Sequence, residues 1–199
     1  MARTLISALC VTMLAGACSI TEATPASTTA LATDAPVALT LEPEGLGDVT
    51  FGTTPEDLIV ALTPTIGAPD DDTGWFDGSA GIYGACPPEV RVITWGSLAI
   101  FFTMNAGFFA YSYGFDFEDA DAGTDARTLE LETPSGVGLG TTVGELRSLE
   151  PSAVIDGDAS IDVWSFSLGS GPSPHLRGSV TSADDAGRVV IIETSDGCS

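Results

Sequence analysis

The chain has 199 residues, of which 28 are acidic and 6 are basic, giving a formal net charge of −22 at pH 7. Such a charge repels phosphate backbones and anionic lipid head groups, which argues against nucleic-acid binding and against membrane binding by charge. Apolar residues make up 44% of the chain, too many for an intrinsically disordered protein. The length allows one ordinary domain or two small ones.

Residues 1–17 are predicted to be a lipoprotein signal peptide. Arg3 is the only charged residue of this segment, and a mostly apolar run follows it from Leu5 to Leu14. The run is too short to span a bilayer. Small residues at positions 15–17 then complete the pattern of a secretory signal.

The end of this segment fits two processing routes. As an A-x-A site, residues 15–17 would be cut by ordinary signal peptidase, and the protein would be secreted after cleavage before Cys18. Residues 14–18 also resemble a bacterial lipobox, although a branched apolar residue usually stands where this chain has Ala15. Once Cys10 leaves with the signal peptide, lipidation of Cys18 leaves two cysteines that can pair. We therefore expect Cys18 to carry the lipid.

Residues 18–37 are predicted to be the lipidated Cys and a flexible tether. Between Ser19 and Pro36, fourteen of eighteen residues are Thr, Ala, Ser or Pro, without apolar periodicity. This composition is typical of a solvated linker.

The rest of the chain contains a repeated segment. Residues 49–54, V-T-F-G-T-T, match residues 137–142, V-G-L-G-T-T, and further matches lie before and after them. An internal match at a fixed offset indicates repeated structural units. Two units are expected, at residues 38–127 and 128–199.

Each unit is predicted to hold one helix followed by antiparallel strands. Thr54 and Thr142 are good helix N-caps, and an acidic residue three positions later completes a capping box in each unit. The predicted helices span residues 55–62 and 143–149. Gly, Pro, Asn and Asp turns separate the predicted strands, which span residues 90–95, 98–104, 108–117, 161–168, 176–181 and 188–194. This pattern predicts an α+β fold of two tandem helix-plus-antiparallel-sheet repeats.

A strand, a Gly-x-Thr start, a capped helix and antiparallel strands, arranged in tandem, resemble the β-lactamase-inhibitor-protein-like fold. The small lipoprotein of outer-membrane barrel assembly is similar to the same unit. The resemblance covers residues 38 to 198 and implies a bacterial lipoprotein with a non-enzymatic, protein-binding role. No local motif carries over inhibitory contact residues.

Cys86 and Cys198 are the two cysteines of the body of the protein. A disulfide between them would close a loop of about 110 residues and stabilise the fold by roughly 4.7 kcal/mol in the chain-entropy model. The alternative is a metal site, but two Cys and one distant His are a poor ligand set. We expect a structural disulfide, and neither a metal nor a cofactor.

Aromatic residues are concentrated in one part of the chain. Five of them recur at every second residue, at Phe109, Tyr111, Tyr113, Phe115 and Phe117. One strand face is therefore predicted to carry all five. In one interpretation this face packs as core, and in the other it lines an exposed sheet surface. Tyr and Trp are common binding anchors, so the candidate partner-binding residues are Trp75, Trp95, Tyr111 and Tyr113.

Acidic clusters occur at residues 70–72, 116–125 and 156–162. Residues 119–130 place acidic side chains at positions 1, 3, 7 and 12 of a calcium-loop register. Position 5 is Gly123, however, and position 6, where the sharp turn needs Gly, is Thr124. A solvated acidic loop between the two units is the favoured interpretation.

A nucleophilic enzyme would have to use His175, the only His of the chain. The sequence has no G-x-S-x-G motif and no Lys for a phosphate-binding loop. The favoured interpretation is a lipid-anchored extracytoplasmic protein of the bacterial envelope that binds another envelope or secreted protein without catalysis. An envelope hydrolase and an acidic-loop ligand or ion sensor are the alternatives. A basic partner would complement the charge.

Lipidation predicts a specific mass at the mature N-terminus. Mass spectrometry of the N-terminal peptide is expected to find Cys18 as the first residue, with acyl mass on it. An unmodified Cys18 in that peptide would reject the lipid anchor and favour simple secretion.

Overall fold

Strands are the main secondary structure of the residues that the structure describes. The computed structural model describes residues 39–78, 89–114, 129–161, 163–169 and 175–194, all of them within one compact unit, Ala35–Ser199. In chain order the elements are β1 Leu41–Glu42, β2 Gly45–Leu46, β3 Val49–Thr50, α1 Pro55–Ile66, β4 Asp71–Phe76, β5 Val90–Trp95, β6 Leu98–Thr103, β7 Gly107–Tyr113, α2 Val143–Leu149, β8 Val154–Asp158, β9 Val163–Leu168, β10 Leu176–Val180 and β11 Val189–Thr194.

Eight of these strands form one antiparallel sheet in the order β4-β5-β6-β7-β11-β10-β9-β8. The strands β4 to β7 meet the strands β8 to β11 where β7 pairs with β11, with Ile192 opposite Tyr113 and Glu193 opposite Ser112. A smaller sheet consists of β1, β2 and β3.

The predicted fold class, α+β with two tandem helix-plus-antiparallel-sheet repeats, is wrong. The described residues are mostly β, with two helices beside one continuous eight-stranded sheet. The strands of the two predicted units pair edge to edge at β7 and β11, so they share one sheet instead of forming two. The predicted boundaries at residues 17, 37 and 127 lie outside the described residues.

The two edge strands, β4 and β8, were not predicted. Both coincide with acidic clusters, because β4 includes Asp71 and Asp72, and β8 includes Asp156 and Asp158. Charged side chains are common on edge strands, where they discourage pairing with another chain. The acidic clusters at residues 70–72 and 156–162, which resemble loops in composition, therefore coincide with edge strands in this protein.

The predicted helices are confirmed, one of them with a different end. Helix α2 has the predicted bounds, whereas α1 continues past Leu62 to Ile66 in spite of Pro64. Proline lacks the N–H that would bond to the carbonyl of Val60. Both residues are exposed, so water can take this carbonyl and the helix can continue for another turn.

Both threonine caps are formed. The hydroxyl oxygens of Thr54 and Thr142 accept hydrogen bonds from the backbone N–H groups of Asp57 and Glu145, each at 3.2 Å. The Glu145 carboxylate also accepts the N–H of Thr142 at 2.9 Å, which completes the capping box of α2. The shorter Asp57 side chain instead accepts the Thr54 hydroxyl at 2.9 Å.

The start of each helix is fixed to a central strand by a pair of backbone hydrogen bonds, which we call a helix-start clamp. Before α1, the N–H of Gly52 donates to the Phe108 carbonyl and the N–H of Phe108 donates to the Thr53 carbonyl, both at 2.8 Å. The second clamp joins Gly140 and Thr141 to Val189 at 2.8 and 2.9 Å. The repeated Gly-Thr-Thr segment thus has the same local role before both helices.

The main core lies between the helices and one face of the large sheet. Leu58 and Leu62 of α1, together with Val143 and Leu146 of α2, pack against the buried side chains of that face. Burying one such side chain contributes roughly 1.5–3 kcal/mol. We call this the inner face and the opposite one the outer face.

The first clamp leaves no room for a side chain at Gly107. Its φ is +67°, and a Cβ there would lie 2.7 Å from the carbonyl oxygens of Gly52 and Thr53. Gly52 has a φ of +92° but open space around it. Gly52→Ala should cost about 1–2 kcal/mol from backbone conformation alone. Gly107→Ala should cost about 1–3 kcal/mol more, because it also separates the clamp.

Urea unfolding of both variants measures the difference. Gly140→Ala is a second control, since Gly140 has a φ of +84° and nothing close to its Cβ position. Equal losses for Gly107→Ala and Gly52→Ala would contradict the proposed crowding.

Candidate functional site

The four aromatic candidates occupy different environments. Trp95, Tyr111 and Tyr113 are at most 2% exposed and belong to the main core. In the folded chain these three side chains cannot contact a partner, so the core interpretation describes them. Trp75 is 39% exposed and lies on the edge strand β4.

The polar atoms of the buried aromatics bond to backbone groups. The Trp95 indole N–H donates to the Gly67 carbonyl and the Tyr111 hydroxyl to the Glu42 carbonyl, each at 2.9 Å. The Tyr113 hydroxyl donates to the Leu129 carbonyl. Burial raises the pKa of both tyrosines above the ordinary value. These hydroxyls therefore join chain segments as neutral donors.

The predicted face of five aromatics is interrupted by a β-bulge. Phe101 pairs with Ala110, but the next residue, Phe102, pairs with Phe108, so Phe109 is an extra residue in β7. An extra residue reverses the alternation of sides along a strand. Phe109 consequently packs with residues of the outer face, not with Tyr111. Phe115 and Phe117 lie outside the described residues.

A second apolar cluster lies on the outer face. Its buried members are Val92, Ala99, Phe101 and Ala110, with Phe76 and Phe109 partly buried beside them. All six are residues of the first four strands of the sheet or adjoin them directly along the chain. Because Phe101 is only 9% exposed, this cluster offers little apolar surface to a partner.

The outer face is different at its other end, where β8 is the edge strand. Val154, Asp156 and Asp158 of β8 face Ser167, Ser165 and Val163 of β9 across the register. Three aliphatic side chains here are more than half exposed: Val154 is 56% exposed, Val163 57% and the turn residue Ile161 67%.

We define the β8–β9 surface as Val154, Asp156, Asp158, Ile161, Val163 and Ser165. It combines exposed branched aliphatic side chains with two carboxylates.

Both carboxylates of this surface accept local backbone donors. Asp156 accepts the N–H of Gly157 and Asp158 accepts the N–H of Ser160, each at 2.8 Å. The bonds from Ser160 lower the pKa of Asp158 below its ordinary value. Asp158 is therefore ionised at neutral pH, and the surface is negative.

The arginines of the described residues bond elsewhere. Arg147 pairs with Asp185 at 2.5 Å, Arg177 with Glu193 at 3.0 Å, and Arg188 donates to a backbone carbonyl. Arg91 bonds to both Glu56 and Asp72. The charge of the β8–β9 surface is accordingly not neutralised by any of these four side chains.

Arg91 fixes the strand that carries Trp75. It lies opposite Trp75 in the β4–β5 register and reaches Glu56 of α1 at 2.8 Å and Asp72 of β4 at 2.7 Å. Hydrogen bonds from the guanidinium lower the pKa of both carboxyl groups. The acidic cluster at residues 70–72 is thus part of the attachment of β4.

His175 lines a cavity of about 620 Å³ together with Glu150, Ser135 and Ser152. The hydroxyl groups of Ser135 and Thr133 lie 2.9 Å apart and share a hydrogen bond. Sequence reasoning singled out His175 but missed Glu150, because no local pattern shows that the end of α2 and the residue before β10 line one cavity.

Several predicted features lie outside the residues that the structure describes. These are Cys18, Cys86, Cys198 and the calcium-loop positions from 119 to 128. Within the described residues, no three His, Cys, Asp or Glu side chains form a group that could hold a metal ion. No described helix is long and apolar enough to cross a membrane.

No family model, curated protein or solved structure matches this chain.

The attachment of β4 through Arg91 is expected to weaken in acid. The ordinary pKa values of Glu56 and Asp72 are 4.5 and 3.8, and the folded state lowers both. The ion pairs therefore contribute fully above about pH 5, and the contribution is lost as the pH falls through the lowered pKa values. Arg91→Gln should reduce stability at pH 7 and have much less effect at pH 3.

Urea unfolding at both pH values tests this dependence. Arg177→Gln is the control, because the Arg177 side chain, which pairs with Glu193, is 49% exposed against 14% for Arg91. Exposed pairs contribute little to stability, so the control should lose less at pH 7. A loss for Arg91→Gln that is the same at pH 3 and pH 7 would argue against the ionic attachment.

Proposed function

We propose that this protein is lipid-anchored through Cys18 on the outer side of a bacterial membrane, where it binds a basic partner protein without catalysis. The observation that carries the proposal is the β8–β9 surface. There, exposed apolar side chains and carboxylates lie together on one sheet edge. This combination suits a protein interface with an apolar centre and a charged surround.

The apolar part of the surface supplies the attraction. Val154, Ile161 and Val163 are each more than half exposed. Removing such groups from water contributes about 25 cal/mol for each Å² that is buried. They are branched at Cβ, so they lose little rotamer freedom when a partner covers them.

The charged part of the surface selects the partner. Asp156 and Asp158 lie on the same face as the two valines. The chain has 28 acidic and 6 basic residues, so a like-charged protein is repelled before contact. A partner with Lys or Arg around an apolar patch would be attracted and oriented by this surface.

The tether limits where the partner can lie. A coil of the length of residues 18–37 reaches roughly 25 Å by square-root scaling. Lipidation of Cys18 would keep the β8–β9 surface close to the membrane. We therefore expect a partner that resides in the envelope or passes through it.

Cross-linking in the intact envelope of the source cell tests the proposal. The double variant Val154→Ser with Val163→Ser removes apolar area, and Asp156→Asn removes one charge. Both should reduce the yield of the same cross-linked basic protein severalfold, and added salt should reduce it further for the wild type. Val60→Ser is the matched control, because Val60 is 74% exposed on α1, away from this surface.

Equal cross-linking by the double variant and by the control would reject the β8–β9 surface as the binding site. An acidic partner, or a yield that does not depend on salt, would contradict the electrostatic part of the proposal.

A further inference from the structure

The cavity lined by His175 has the size and lining of a ligand site. Its volume of about 620 Å³ lies within the usual range of roughly 300–1,000 Å³ for small-molecule pockets. Leu168 and Leu176, which pair directly across β9 and β10, form part of an apolar wall, although they are only 8% and 3% exposed. Pro43 and Pro134 add further apolar surface.

The Glu150 carboxylate is the one acidic group among the described residues that line the cavity. The backbone of Glu150 is fixed, because its N–H donates a hydrogen bond of 2.8 Å to the Leu146 carbonyl at the end of α2. Its side chain makes no hydrogen bond or ion pair with any described residue. The nearest arginine along the chain, Arg147, bonds instead to Asp185 and to the Ala183 carbonyl.

A carboxylate beside an apolar wall defines the chemistry of an occupant. We propose that this cavity binds a small organic ammonium ion, with the ammonium group at Glu150 and the hydrocarbon part on the apolar surface that Pro43 and Pro134 offer beside Leu168 and Leu176. A charge-assisted hydrogen bond would form at the carboxylate. The net charge of −22 also raises the local concentration of cations. This site does not involve the β8–β9 surface, so either proposal can fail alone.

Three phenylalkyl probes of similar size separate charge from hydrophobicity. The full chain is titrated with 2-phenylethylammonium, 2-phenylethanol and 3-phenylpropionate, and binding is followed by ligand-observed NMR and calorimetry. The ammonium ion should bind at least about tenfold more tightly than the alcohol, as expected for a charged hydrogen bond. The carboxylate probe should not bind.

Two variants locate the site. Glu150→Gln keeps the shape of the side chain and should weaken ammonium binding about tenfold. Ser152→Phe should abolish binding by filling the cavity, and Ser152 is exposed, so the fold should tolerate the change. Glu89→Gln removes one exposed charge elsewhere and should leave the affinity unchanged.

Each contrary result overturns the proposal. Equal losses for Glu150→Gln and Glu89→Gln would mean that cations associate only with the overall charge. Equal binding of the alcohol and the ammonium ion would remove the role of Glu150. Absence of binding by all three probes would show that the cavity is not a site of this kind.

Discussion

The two helix-start clamps are the constraint on which the rest of the structure depends. Each fixes the residues just before a helix to the first part of β7 or β11, the two strands at the centre of the large sheet. Both helices therefore start over the middle of the same face, and their apolar side chains close the core there. The absence of a side chain at Gly107 allows the backbones to approach this closely. Both helices cover the inner face, and the exposed apolar side chains of the outer face lie at its β8–β9 end.

Local patterns in the sequence were sufficient to predict the elements whose ends depend on neighbouring residues. The bounds of α2 and β5 agree with prediction, because a Thr cap, a turn and an apolar pattern each act over a few residues. The pairing of β7 with β11 joins residues about 80 positions apart, and no periodicity reports it. The strands β4 and β8 were missed because an edge strand needs few apolar residues.

The candidate site shows the same limit at the level of single residues. The alternation of side chains along a strand predicted that Phe109 and Tyr111 share one face. One extra residue in β7 places them on opposite faces instead. The sequence allowed both a core and an exposed interpretation of Tyr111 and Tyr113, and the structure places their hydroxyls on backbone carbonyls inside the core. The exposed valines of β8 and β9 gave no signal, because their exposure depends on the position of these strands at the sheet edge.

The acidic residues of the β8–β9 surface oppose self-association through its exposed apolar side chains. An edge strand with valines is a template for pairing with a second copy. Asp156 and Asp158 lie on the same face as Val154, and Asp156 also occupies the N–H of Gly157 at 2.8 Å. Two copies that approach through β8 would bring four of these carboxylates together without an intervening Lys, since the chain has none. The same arrangement favours a surface with Lys or Arg, so under the proposed function the residues that oppose self-association would also select the partner.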